Sequence, residues 1–341
     1  MQTNTIEQNF SVISGSIVNK ILQNNYAKVV SLVEAAYLAH GEKKTLNPDS
    51  YFLKYPDKPE ARIIALPAHL GGDFNISGIK WISSFPKNIN YGIPRASAVI
   101  ILNDYETGYP LACLEGSIIS ASRTAASAVL AAQNLVKPKT VVRLGIIGCG
   151  LISRYVLNFL LNTGWKIPAL NLFDLNDRYS EAMKNYAQER GIKEVHISST
   201  KEELISASDL ITLTTTAGEP HIFDVSAFAH NPIVLHLSLR DLSPDIILAS
   251  NNIVDDVDHC LKAATSLHLT EQEVSNRKFV TGTIDQLVKG KLALNSQKPT
   301  IYSPFGMGIL DLAVASYVYQ QSILETTTVT VPDFFYETKR I

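Results

Sequence analysis

The spacing of apolar residues changes repeatedly along the chain, and each change marks a different element. Between Ser16 and His40 they recur at mixed three- and four-residue intervals, at Ile17, Ile21, Val29, Val30, Leu32, Val33 and Ala36, with Asn24 and Asn25 interrupting. That spacing predicts two consecutive helices. From Ser50 the pattern becomes short alternations broken by proline and glycine: YFLKY, RIIALPAHL, NISGIKWISSF and RASAVIILN. These predict strands of one antiparallel sheet, turning at Pro56 to Pro59 and at Gly71-Gly72. The run IISASRTAASAVLAAQNL is alanine-rich, free of proline and glycine, and apolar at helical intervals, so a helix follows.

Lys137-Pro138-Lys139 is the expected domain boundary. Beyond it, strands (LNLFD, EVHIS, DLITLTT, IVLHLSL, NNIVDD) alternate with helical segments around Ser180 to Arg190 and Lys201 to Ala207. Such alternation predicts an α/β domain with a doubly wound parallel sheet. A last helix over Leu310 to Leu324 follows that domain and is expected to return to pack on the amino-terminal one.

The run VVRLGIIGCGLIS, Val141 to Ser153, opens the second domain: an apolar strand, a tight turn with Gly148 and Gly150, then a helix starting at Leu151 and Ile152. These are the parts of a Rossmann dinucleotide-binding unit, in which phosphates sit on the free amides of the helix start. Ser153 stands where glycine or alanine is usual and is small enough to keep helix and strand close. Asp174 closes the next strand, slightly beyond the usual spacing of about 20 residues, and can take both ribose hydroxyls while repelling a 2′-phosphate. The expected cofactor is therefore NAD, although nearby Arg178 also suits NADP. Thr214, Thr215 and Thr216 end another strand and could face the nicotinamide ribose, and the glycines around Met307 suggest a close backbone approach to the cofactor.

Composition narrows the partners. Charged residues are 18% of the 341, and the net charge is −2, so neither nucleic acid nor an anionic membrane is expected. Three scattered cysteines without CxxC spacing argue against a disulfide framework and against zinc; no metal is expected. MQTNTIEQNFSVIS lacks the features of a signal peptide, and no run reaches the roughly 18 apolar residues of a membrane span, so a cytoplasmic protein with a small-molecule ligand is expected.

Hydride transfer needs cations to hold substrate carboxylates and a group able to exchange a proton. Lys80, inside the apolar strand GIKWI, is costly unless its ammonium meets an anion; the alternative is an edge lysine facing water. Arg123 offers a bidentate fork in an otherwise uncharged helix, or a salt bridge on its surface. Arg62 and Arg95 begin strands and could each contact a second carboxylate or simply be solvated. Asp241 follows the strand IVLHLSL, where α/β sheets place their ligand crevice, and could exchange a proton or cap a turn. His69, His221 and His236 have no metal-ligand spacing and read as structural histidines.

The stretch LNDYETGYPLACLEGSIISASRTAA (102–126), together with VVRLGIIGCGLIS, resembles the ornithine cyclodeaminase/mu-crystallin family. The resemblance implies a Rossmann domain over 137–309 and an α+β substrate-binding and dimerisation domain from 1–136 and 310–341, in a homodimer acting on a small amino-acid substrate. It also places the family's carboxylate-binding lysine and arginine on Lys80 and Arg123, a further arginine on Arg62 and the catalytic aspartate on Asp241. Cyclodeaminases carry a glutamate just before the proline of the strand matching RIIALP, where this chain has Ile64, Ala65 and Leu66, which weakens the case for cyclising ornithine. The AHLGGDFNISGIKWI loop, the ASAVIILND strand and the SPFGMGILDLAVASYVYQQ ending are similar to one subgroup. Its enzymes use NAD to hydrolyse N-(1-amino-1-carboxyl-2-ethyl)-glutamate oxidatively to 2-oxoglutarate and L-2,3-diaminopropionate, a siderophore precursor. The same family also implies, as alternatives, a ketimine reductase, an amino-acid dehydrogenase, or a nucleotide-dependent binding protein without turnover.

Overall fold

The computed structural model describes residues 9–335; of the amino-terminal stretch MQTNTIEQNFSVIS considered above, residues 1–8 lie outside them. In chain order the elements begin with β1 (Phe10–Ile13), α1 (Gly15–Leu22), α2 (Tyr26–Gly41), β2 (Thr45–Leu46), β3 (Tyr51–Tyr55) and β4 (Lys58–Leu70). Next come β5 (Ile76–Ser84), β6 (Ala96–Asp104), β7 (Pro110–Glu115) and α3 (Ser117–Leu135). The Rossmann half follows with β8 (Arg143–Ile147), α4 (Leu151–Asn162), β9 (Ala169–Phe173), α5 (Asp177–Gln188), β10 (Glu194–Ile197), α6 (Lys201–Ser206), β11 (Leu210–Leu213) and β12 (Ile233–His236). It continues through α7 (Pro244–Leu248), β13 (Asn251–Val254), α8 (Val257–Cys260), α9 (Ser266–Val274), β14 (Val280–Thr283), α10 (Ile284–Val288) and β15 (Thr300–Ser303). The chain then forms α11 (Gly308–Leu324) and β16 (Val329–Val331).

Two compact units share these elements: Met1–Arg123 with Met307–Ile341, and Thr124–Gly306. The division falls inside α3, and the Lys137 to Lys139 stretch lies past that helix's end.

In the first unit the strands form one mixed sheet in the order β16-β1-β7-β6-β5-β4-β2, with β3 also on β4. Only the β1–β7 pairing within it is parallel. One face carries Leu70, Ile100, Leu102 and Leu114, all buried, and α11 packs against β4, β5 and β6 on one side and α2 on another. Gly308 is where helix and sheet come closest: an added Cβ would lie 3.0 Å from the Ala68 Cβ and 3.2 Å from the Leu66 carbonyl. The close approach expected of this glycine pair is thus at least partly to β4. The side chain of Met307 itself is fully buried.

Among the described residues the opposite face is apolar and uncovered. Register aligns Tyr51, Ala65, Trp81 and Val99 in one cross-strand row, with Leu53 and Ile63 beside it, and Tyr51, Leu53, Trp81 and Val99 are exposed.

In the second unit all strands are parallel, in the order β10-β9-β8-β11-β12-β15-β13-β14. Ile147, Ile211, Leu213, Val234 and Ile301 join the buried cluster around this sheet. The expected strand IVLHLSL stops at His236: Leu239 takes a left-handed backbone, φ 71°, which turns the chain away before Asp241.

Candidate cofactor and substrate sites

Strand β8 ends in the glycine turn for steric reasons. Gly148 has φ +89°, and a Cβ there would meet the Thr214 carbonyl and the Thr215 nitrogen at 2.8 to 2.9 Å. Gly148→Ala is therefore expected to cost about 2 kcal/mol or more, read as a lower denaturant midpoint, because it combines a disfavoured backbone with a backbone collision. Gly150 is different: it caps α4, and an added Cβ would meet nothing within 4 Å. The turn is tight on its inner side and open at the helix start. Ser153 is buried and donates its hydroxyl to the Gly150 carbonyl at 2.8 Å, so the departure from glycine is accommodated by a hydrogen bond.

Asp174 accepts from the Cys149 amide (2.8 Å) and the Asn176 amide (2.9 Å), one on each oxygen. A carboxylate has about four acceptor positions, so each oxygen keeps capacity for a ribose hydroxyl. Leu151 and Arg178 are exposed, and Ile152 is half-buried. Thr214 donates to the Gly148 carbonyl (2.7 Å), Thr215 donates to Asp241, and Thr216 is exposed. The open helix start and the anchored carboxylate fit a dinucleotide, which Gly150, Leu151, Ile152 and Asp174 would hold.

In the first unit, Lys80 from β5 and Arg123 from α3 meet on one carboxylate, Asp311 of α11. Lys80 Nζ lies 2.6 Å from Asp311 Oδ2 and donates to Ser120 Oγ at 3.2 Å, while Arg123 Nε lies 3.2 Å from Asp311 Oδ1. The side chains of Lys80 and Asp311 are 3% and 0% exposed and that of Arg123 12%, so the cluster is nearly dry. Burial drives the Lys80 pKa down to about 8; Asp311 opposes that shift and the Arg123 charge adds to it. With both cations charged, two positive groups share one carboxylate, leaving a surplus positive charge suited to a second carboxylate.

Lys80 does meet the anion its burial requires, and the protein itself supplies it. The edge-lysine alternative fails because β5 lies between β4 and β6 and Lys80 faces the helix-covered side. Arg62 and Arg95 are exposed and stand apart from this cluster, flanking Ser84, to which Arg95 Nη1 donates at 3.0 Å. Their row is about 13 Å along the strand from that of Lys80.

In the second unit, Asp241 is wholly buried and fully engaged. Oδ1 accepts from the Thr215 hydroxyl and lies 3.0 Å from His221 Nε2; Oδ2 accepts from the Ser238 hydroxyl and lies 3.1 Å from His236 Nε2. Burial alone would raise its pKa, but hydrogen bonds from His221, His236 and Ser238 prevail and hold the carboxyl well below the usual carboxylate range. The group is an ionised carboxylate rather than a proton donor. His236 continues to Ser303 Oγ (3.1 Å), and His221 Nδ1 lies 3.2 Å from Lys201 Nζ.

Asp311, Ser238 and Lys201 are missing from the residues singled out in the sequence, and His221 and His236 were read as structural. Asp311 carried a signal: a lone carboxylate in the apolar helix GILDLAVAS poses the same question as Lys80 in GIKWI. Among the described residues no group of three His, Cys, Asp or Glu side chains is placed to hold a metal ion, and no helix is long and apolar enough to cross a membrane.

An α+β unit joined to a parallel, glycine-turned Rossmann unit defines the class of two-unit dinucleotide-fold proteins. Within that class the chain belongs to the ornithine cyclodeaminase/mu-crystallin family, whose model matches residues 17–326. It is 31% identical over 311 residues to the N-((2S)-2-amino-2-carboxyethyl)-L-glutamate dehydrogenase of Staphylococcus aureus, covering 87% of this chain and 91% of that one. Alanine dehydrogenase of Archaeoglobus fulgidus is 26% identical, over 87% and 90% of the two chains. The fold matches that of Thermococcus litoralis Delta(1)-pyrroline-2-carboxylate reductase in complex with NADH and L-proline, with a TM-score of 0.85, 24% identity, and 94% and 100% coverage. An archaeal alanine dehydrogenase dimer with bound NAD gives 0.84 at 22% identity, over 96% and 100%.

Proposed function

We propose that the protein is an NAD-dependent oxidoreductase acting on the CH–NH bond of N-((2S)-2-amino-2-carboxyethyl)-L-glutamate, which it hydrolyses oxidatively to 2-oxoglutarate and L-2,3-diaminopropionate. The observation that carries this reading is the 31% identity over nine-tenths of the dehydrogenase of that name. When bound, NAD accepts the hydride. Gly148, Gly150, Leu151, Ile152 and Asp174 bind it, with Arg178 and Thr216 at the margin; Thr214 and Thr215 hold the turn and Asp241, and Met307 acts through the backbone of its turn.

The substrate carries three carboxylates. The surplus charge of Lys80 and Arg123 takes one, and Arg62 and Arg95 are suited to another. Asp241 serves as a fixed negative charge that stabilises the positive charge growing on the substrate nitrogen as the hydride leaves. Purified protein incubated with NAD and the synthetic amine is expected to give NADH, 2-oxoglutarate and L-2,3-diaminopropionate by mass spectrometry. No NADH from that amine, with proline and ammonia formed from ornithine instead, would overturn the reading. A cyclic ketimine with NADH is the control for a reductase, a reading favoured by the fold match above.

Lys80 gives this function a pH limit. Below about 8 its ammonium is available to a carboxylate; above that the free protein holds neutral lysine, and binding must pull a proton back on. The value of kcat/KM is therefore expected to fall as pH rises through about 8, and the Lys80→Arg variant should lack that limb.

The uncovered row of Tyr51, Trp81 and Val99 fits a second copy of the chain, giving a homodimer. Light scattering is expected to show a dimer, and Trp81→Glu a monomer; a monomeric wild type at micromolar concentration removes this assignment.

A further inference from the structure

Asp241 and His221 look like an acid–base dyad, but the hydrogen bonds around the ring argue for a different role. Lys201 Nζ, an ammonium with donors only, lies 3.2 Å from His221 Nδ1 and also donates to the His221 carbonyl. Nδ1 must then be the acceptor, so the hydrogen of a neutral ring sits on Nε2 and points at Asp241 Oδ1. Neither ring nitrogen is left to receive a proton from the carboxylate.

The main chain ties the same groups together: the amides of His221 and Ile222 both donate to the Asp241 carbonyl at 2.9 Å. Lys201 is also the first residue of α6, where a positive charge opposes the helix dipole, while Glu202 and Glu203 of the same turn suit it. An ammonium in that position calls for a compensating contact, and His221 supplies two, through Nδ1 and through its carbonyl.

We propose that Lys201 and His221 form a positioning pair for Asp241, in which Lys201 holds His221 in the neutral Nε2–H tautomer and that tautomer fixes the carboxylate as an oriented negative charge. This rests on the role given to Asp241 above. Thr215, His221 and Ser238 donate to it and His236 Nε2 lies 3.1 Å from Oδ2, so it works by charge, and His221 passes no proton.

Two measurements test the pair. In [15N]histidine-labelled protein, the His221 signal, identified by its loss in His221→Gln, is expected to show the Nε2–H tautomer in wild type and a mixture of tautomers in Lys201→Met. An Nδ1–H or doubly protonated ring in wild type, or a signal unchanged by Lys201→Met, overturns the proposal without any turnover. In the amine assay, Lys201→Met is expected to lower kcat about tenfold with KM nearly unchanged, and Lys201→Arg to restore it. Glutamine can donate to Asp241 and accept from Lys201, so His221→Gln should keep kcat within a few-fold. A loss above a hundredfold would mean that the ring carries a proton, and an unchanged kcat in Lys201→Met would mean that the lysine positions nothing; either overturns the proposal. If wild type yields no NADH from the amine, the substrate reading falls and the tautomer comparison alone decides the pair.

Discussion

Asp311→Ala is expected to destabilise the protein by about 3–5 kcal/mol, because it leaves the ammonium of Lys80 and the guanidinium of Arg123 buried side by side without a counter-charge. The penalty is the desolvation of uncompensated charge rather than the strength of one ion pair. At roughly 2–4 °C per kcal/mol for a unit of this size, thermal unfolding should begin about 10 °C earlier. Lys80→Met alone is expected to cost less, since it leaves Asp311 paired with Arg123, and adding it to Asp311→Ala should recover part of the loss. The comparison separates charge from packing: if Asp311→Ala lowers stability by less than about 1 kcal/mol, or Lys80→Met brings no recovery, the cluster is better hydrated than its burial indicates. The same variant should weaken substrate binding, since Asp311 orients both cations that are proposed to meet the carboxylate.

That cluster marks where sequence reasoning reached its limit. A lysine among isoleucines demands an anion, and that demand was legible in GIKWI. The identity of the anion was not, because Asp311 lies 231 positions along the chain and only the return of α11 to the sheet brings the two together. The Rossmann strands β8 to β13 were legible because most are short apolar runs, such as RLGII, LITL and IVLH, in a stretch where strands alternate with helical segments. Strands β1, β15 and β16 were not: each is short and is held by pairing with strands distant in sequence, which no local pattern records. Resemblance to the family was readable in RTAA and GCGLIS, and the family match bears it out. Histidines carry no periodic signal, so nothing in the sequence tied His221 and His236 to Asp241.

Asp241→Asn is expected to lower kcat by roughly 10²–10⁴ with a much smaller change in KM, the size of loss associated with a charge or proton-transfer group acting in the transition state. Asparagine keeps the shape of the side chain but replaces an anion with one acceptor and one donor. The donor would face two of the four groups that now point at the carboxylate, so part of the network must break or reverse, at about 1–3 kcal/mol of stability. Linkage gives an independent check. Because the folded-state pKa is depressed, the carboxylate contributes stability above its unfolded value, near 4, that is lost as pH falls toward the folded one. The variant should therefore lose stability at neutral pH and show a shallower acid limb than wild type. A full kcat together with that shallower limb would make Asp241 a structural anion. A lost kcat with the limb unchanged would place the stabilising charge elsewhere. The combination of the two losses is what a buried carboxylate acting by charge requires, since the same hydrogen bonds from His221, His236 and Ser238 that depress its pKa hold it ionised for the reaction.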